Sequence, residues 1–144
     1  YGMSMASDKA VAGESIASRG NSYGIESIQI DGNDVEAVFE SVTSFKNEIL
    51  ASNRPKFIEA VTYRYRGHSK SDRNLYRTSD EIEYWKEEKD PIKRYIGKLI
   101  ESGVTEAKLK EIDEGVKELI RDSVKKALDS PMSPVTNLEE DSYA

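Results

Sequence analysis

The 144-residue chain contains no cysteine, which excludes disulfides, thiolate nucleophiles and thiolate metal sites. It has a single histidine, so no His pair can grip a metal, and a single tryptophan. There is no basic surplus either. A formal net charge of -6 argues against a general nucleic-acid binder, which normally carries excess positive charge. No apolar run reaches membrane-spanning length, and no cationic-then-apolar leader opens the chain. The glycines form no phosphate-cradling loop, and no nucleophile stands beside a base. Lack of cysteine suits a reducing compartment, and the cytoplasm is the expected location. The first residue is Tyr1 rather than Met, so the expectation is a processed chain or the remainder of a longer one.

What is present reads as α/β. Ser7 to Arg19 is weakly helical, and Ile25–Ile30 alternates like a short strand. Asp31-Gly32-Asn33-Asp34 is a turn, with Asn33 expected to cap the next helix and Glu36 to complete a capping box. That helix should run to about Ser52, its stripe being Val35, Val38, Phe39, Val42, Phe45 and Ile49. Asn53-Arg54-Pro55 stops it, and Phe57–Tyr63 reads as a second strand. Strand, helix and strand at this length predict a βαβ unit with parallel pairing. Beyond it come a short helix from Ser79 or Asp80 through Trp85 and a second starting at Asp90-Pro91 and ending at Gly103. A long third helix is capped by Thr105, with Leu109, Ile112, Val116, Leu119, Ile120, Val124 and Leu128 as its buried stripe. The expected divisions are residues 1–78 for the strand-bearing domain, 79–130 for a helical segment and 131–144 for a mobile acidic tail. Two strands are too few for a parallel sheet, so the sheet is expected to pair with another molecule or with strands upstream of Tyr1.

The chemistry concentrates between Tyr63 and Thr78, a cationic segment that follows an apolar strand and holds the only histidine. Such strand ends commonly receive anions in α/β proteins. His68, beside Gly67, is either a donor to a phosphate or substrate oxygen or a solvent-facing loop histidine. Arg64, Arg66, Arg73 and Arg77 form either an anion fork or a solvated strand end. The interleaved Tyr and Arg also admit stacking on single-stranded RNA, against which the acidic balance counts. Ser69 and Ser71 are open to phosphorylation, as exposed loop serines generally are. Glu139, Glu140 and Asp141 read as a solvated tail rather than a metal site, and Tyr84 and Trp85 as packing residues.

These residues also resemble a known family. Tyr1-Gly2-Met3, then Ile30-Asp31-Gly32-Asn33-Asp34-Val35, then Thr62-Tyr63-Arg64-Tyr65-Arg66-Gly67-His68-Ser69-Lys70-Ser71-Asp72, then Tyr76-Arg77-Thr78 and Asp90-Pro91-Ile92 occur in the order seen in one group. It is the α subunit of thiamine-diphosphate-dependent 2-oxo acid and acetoin dehydrogenases, and the likeness covers nearly all of residues 1–128. The Arg66–Asp72 block followed by Glu81-Ile82-Glu83-Tyr84-Trp85-Lys86 is most similar to the acetoin branch, with the pyruvate branch close behind.

The resemblance implies the C-terminal part of a thiamine-diphosphate-binding fold. It implies that Tyr1 gives its backbone carbonyl to Mg²⁺, that Gly2 lies beside the cofactor, and that His68 contacts the diphosphate and assists proton transfer near substrate. The family's Asp and Asn metal ligands belong to a motif preceding Tyr-Gly-Met, which has no counterpart here. The implied reaction is oxidative cleavage of acetoin, or alternatively of pyruvate, with the acetyl group passed to a lipoyl-bearing acyltransferase. The implied partner is a β subunit in an α₂β₂ assembly; the chain alone is expected to be inactive and open to self-association. Ser69 matches the regulatory phosphoserine of the animal pyruvate enzymes, but Leu75 stands near the place of a second serine, which favours a bacterial enzyme. The non-enzymatic alternative is an interaction module docking an acidic partner through the basic loop.

Overall fold

A computed structural model of the chain describes residues 1–135. Two single turns, α1 (Ser7–Ala10) and α2 (Ser18–Asn21), replace the longer helix expected over Ser7–Arg19. Gly13 between them has φ +106°, where a right-handed helix cannot continue. β1 (Glu26–Asp31) and β2 (Lys56–Val61) pair in parallel, Glu26 opposite Lys56 and Asp31 opposite Val61. The helix between them, α3, spans Val35–Ser52. The predicted βαβ unit is therefore present, with β2 ending two residues earlier than expected.

The cap of α3 differs from the reading above. Asp34, not Asn33, occupies the cap position, its Oδ1 accepting from Glu36 N at 3.1 Å and Ala37 N at 3.2 Å. Asn33 is buried instead, its N–H held by Asp31 Oδ1 at 2.9 Å. Either residue type can cap; the turn decides which one reaches the helix. At the other end Asn53 adopts the left-handed conformation, φ 54°, and its N–H closes on Ile49 O at 2.8 Å. The turn after β1 needs a glycine, because a Cβ on Gly32 would lie 2.6 Å from Thr62 Cγ2 and 2.9 Å from Val61 O.

Two compact units result, Tyr1–Glu101 and Ser102–Ala144. The first includes α4 (Ser79–Glu88) and α5 (Pro91–Glu101). Thr78 caps α4 by accepting from Glu81 N at 3.2 Å. Asp90 starts α5 by accepting from Ile92 N and Lys93 N at 2.9 and 3.0 Å, with Pro91 at the first helical position. Ion pairs tie α5 to the β1–α3 turn and the start of α3: Arg94 pairs with Asp31 at 2.9 Å, and Lys98 with Glu36 at 2.6 Å and Asp34 at 3.2 Å. The apolar interior is small. Among the described residues, Ala17 and Phe45 are the buried hydrophobics. Lys56 lies over the Phe45 ring, 4.9 Å from its centre, and pairs with Glu26 and Glu48.

The second unit contains α6 (Glu106–Asp129), capped by Thr105, whose hydroxyl accepts from Lys108 N at 3.3 Å. Its stripe is not buried as expected: Val116 is 52 %, Leu119 64 % and Leu128 80 % exposed. Phe39, at 71 %, and Leu50, at 73 %, leave α3 similarly uncovered. Periodicity marks the face a helix must bury but carries no information about what covers it. The residues at the heart of the expected acidic tail, 136–144, lie outside the described residues. No helix among the described residues is long and apolar enough to cross a membrane.

Candidate functional site

The segment after β2 folds over α4 and against the first residues of the chain, so Gly2 and His68 share one partner, while the Tyr1 ring packs on the tyrosines of the segment. Arg64 makes the link. Its Nη1 donates to Gly2 O at 2.6 Å and lies 3.2 Å from His68 Nδ1, while Nη2 donates to His68 O at 3.3 Å. The Tyr1 ring stands edge-on to Tyr63, centres 5.7 Å apart, and beside Tyr76 at 5.4 Å.

Asp72 organises the loop from within. Its Oδ2 accepts from His68 N at 2.8 Å, Tyr76 OH at 2.9 Å and Ser4 Oγ at 3.1 Å, and its Oδ1 accepts from Asn74 N at 2.9 Å. These donors hold the carboxyl down at about 2, the Asn74 N–H contributing most and the His68 N–H next. Gly67 makes this packing feasible, since a Cβ there would sit 2.5 Å from Asp72 Cβ and 2.6 Å from its Cγ. The glycine thus admits the close approach of a carboxylate side chain.

Underneath, Arg77 is buried and faces inward. Its Nη2 donates to Tyr65 O at 3.0 Å and Asn74 Oδ1 at 2.8 Å, and Nη1 donates to Arg64 O. The guanidinium lies 5.2 Å from the centres of both the Tyr1 and Tyr63 rings. Tyr63 stacks on Trp85, centres 4.8 Å apart at 5°, and donates to Glu81 at 3.0 Å. Burial raises the Tyr63 phenol, and the same cause, reinforced by Asp90, raises Tyr65. Trp85 is therefore the packing residue expected of it. The four-arginine fork is not formed: Arg77 is a structural clamp, Arg64 is committed to residues 2 and 68, and only Arg66 of the set remains free at the cleft. Ser69 and Ser71 bond one another at 3.0 Å.

Above the loop is an open cleft of about 790 Å³, lined among others by Arg64, Arg66, His68, Lys70 and Lys86. Arg66 and Lys70 carry no hydrogen bond or ion pair among the described residues. The two lining acids are already engaged, Asp72 by its four donors and Glu83 by Lys86 at 2.8 Å. Chemically this is a site for an anion. No group of three His, Cys, Asp or Glu that could hold a metal occurs among the described residues.

Comparison with known proteins gives the frame for this site. A family model described as the dehydrogenase E1 component matches residues 1–136. This chain belongs to the dehydrogenase E1 component family. It is 37 % identical over 142 residues to the pyruvate dehydrogenase E1 component subunit alpha of Rhizobium meliloti, an alignment covering 98 % of this chain and 41 % of that protein. It is 41 % identical over 104 residues to the mitochondrial 2-oxoisovalerate dehydrogenase subunit alpha of Mus musculus, covering 72 % of this chain and 24 % of that one. The chain thus spans less than half the length of these relatives. The resemblance to α subunits of thiamine-diphosphate-dependent dehydrogenases is borne out, whereas both relatives are named for 2-oxo acids and neither for acetoin.

Sequence reasoning passed over Asp72 as an organiser and Arg64 as a tether. Asp72 left a signal, because an Asp two residues before Asn in a polar loop is an Asx-turn pattern. Arg64 left none, since its partners Gly2 and His68 meet only when the chain folds.

Proposed function

We propose that the chain forms part of the α subunit of a thiamine-diphosphate-dependent 2-oxo acid dehydrogenase, acting with a β subunit and a lipoyl-bearing acyltransferase. The observation that carries this is the cleft lined by His68 and the uncommitted cations Arg66 and Lys70, with Arg64 tying its wall to the Gly2 carbonyl, in a chain of this family. The lining suits the diphosphate: Arg66 and Lys70 supply unpaired positive charge, and His68 supplies an imidazole held at its backbone N–H and C=O. Bound there, thiamine diphosphate would supply the carbanion-stabilising chemistry. The role of this chain's residues is to hold the diphosphate oxygens, keep His68 turned toward them, and place its ring proton within reach of a substrate oxygen.

Mg²⁺ needs about six oxygens, and Tyr1 offers a single carbonyl, so the remaining ligands must come from outside the described residues. On that ground the chain alone is expected to show no micromolar affinity for thiamine diphosphate in calorimetry. The uncovered faces of α3 and α6 fit a subunit that buries them against a partner, the β subunit being the one proposed.

Pyruvate is the first substrate to test, as the Rhizobium meliloti relative is named for it. Acetoin is the second reading, carried by the Arg66–Asp72 block and Glu81–Lys86. In the assembled enzyme His68→Ala is expected to cut turnover by about 10²-fold or more, the usual scale for a positioned acid or base. Near-normal turnover with pyruvate, 2-oxoisovalerate and acetoin alike would defeat the assignment.

A further inference from the structure

Arg64 and His68 meet through groups whose chemistry leaves one arrangement. A guanidinium has only N–H donors and no acceptor, and it stays protonated at any relevant pH. The ring nitrogen of His68 that faces Arg64 Nη1 at 3.2 Å is Nδ1, so Nδ1 must be the acceptor. Nη1 has a second hydrogen, which goes to Gly2 O at 2.6 Å, and Nη2 reaches His68 O at 3.3 Å. The His68 backbone is thus fixed at its carbonyl by Arg64 and at its N–H by Asp72 Oδ2, 2.8 Å away. What remains free is the side-chain torsion and the choice of tautomer, and the Nη1 contact settles both.

We propose that Arg64 is a positioning residue that holds His68 as the neutral imidazole protonated on Nε2, and that it sets this ring against the Gly2 carbonyl with the same guanidinium. The planar fork makes three contacts at once. A lysine ammonium on a flexible stem has no such geometry, so Lys at this position cannot replace it. The consequence for chemistry, which rests on the function proposed above, is directional: Nε2–H is left as the donor for an anionic oxygen in the cleft, and Nδ1 is closed to proton traffic.

His68 is the only histidine of the chain, so its ring nitrogens can be observed without ambiguity by nitrogen-15 NMR of histidine-labelled protein at neutral pH. The wild-type chain is expected to show a single tautomer, protonated at Nε2 and unprotonated at Nδ1. In Arg64→Met and Arg64→Lys the Nδ1 resonance is expected to move from the unprotonated toward the protonated position as the two tautomers exchange. A wild-type ring protonated at Nδ1 would overturn the proposal, and does so even if both variants fail to fold. Unchanged ring shifts in folded Arg64→Met and Arg64→Lys would overturn it too. The measurement contains no cofactor, so failure of thiamine diphosphate to use the cleft would sink the functional reading while leaving this one standing.

Discussion

Replacing Arg77 by Met is the most direct test of how the loop is built. Arg77 is 9 % exposed, its Nε and Nη2 reach Asn74 Oδ1 at 3.2 and 2.8 Å, Nη2 reaches Tyr65 O at 3.0 Å, and Nη1 donates to Arg64 O. Three tyrosine rings surround it, with centres 5.2, 5.2 and 5.5 Å away. Met keeps an unbranched stem of related bulk and removes every one of these interactions, stranding two part-buried backbone carbonyls. Hydrogen bonds from a charged donor contribute about 1.5–3 kcal/mol each, and a desolvated cation–π contact up to about 2 kcal/mol. Members of one cluster are not additive, so a loss of about 3–5 kcal/mol is the reasonable expectation, near the upper reach of single substitutions. Small domains have about 5–15 kcal/mol in total, and an interior built around Ala17 and Phe45 belongs at the lower end. Trp85 stacks on Tyr63 in the same cluster and is the only tryptophan, so urea unfolding followed by its fluorescence reports the loop. With slopes of about 1–3 kcal/mol per molar urea, the midpoint should fall by about 2 M. Arg77→Lys, which keeps a charge but not the fork, should recover only a small part of the loss. A midpoint for Arg77→Met within about 0.3 M of wild type would refute this account.

Asp72 sets a pH limit on the same loop. Its carboxyl is depressed to about 2, so its contribution is complete above the unfolded value of about 3.9 and is lost as pH falls through about 2. The His68 backbone amide should therefore shift with a midpoint near 2 in an NMR titration, and a midpoint near 4 would contradict the network. Gly67→Ala forces Asp72 away from its donors, because the new Cβ would lie 2.5 Å from Asp72 Cβ. Rapid exchange of the His68 amide is expected, and wild-type protection would argue against the close approach. Asp34→Ala removes the α3 cap and the carboxylate facing Arg94 and Lys98, costing about 1 kcal/mol for the cap alone. Asp34→Asn should retain most of the cap; equal thermal stability of the two variants would show that the cap contributes nothing.

The features legible in the residues are those whose causes are local. The βαβ order, the parallel pairing, the stop at Asn53, the start at Asp90-Pro91 and the Thr105 cap follow from period, breaker and cap chemistry acting over a few positions. Even local rules left one ambiguity, since Asn33 and Asp34 are equally good capping types and only the geometry of the turn chose between them. The motif around His68 was equally legible, and with it the family. Tertiary structure alone decided which arginine does what. Arg66 and Arg77 are chemically identical in sequence, yet one lines an open cleft while the other is buried against carbonyls 12 and 13 residues away. The tether from Arg64 to Gly2 spans 62 residues, a distance over which no periodicity or propensity carries information. The stripes of α3 and α6 show the same division: their spacing is written in the residues, but burial needs a surface opposite, and a helix encodes only its own side of that contact.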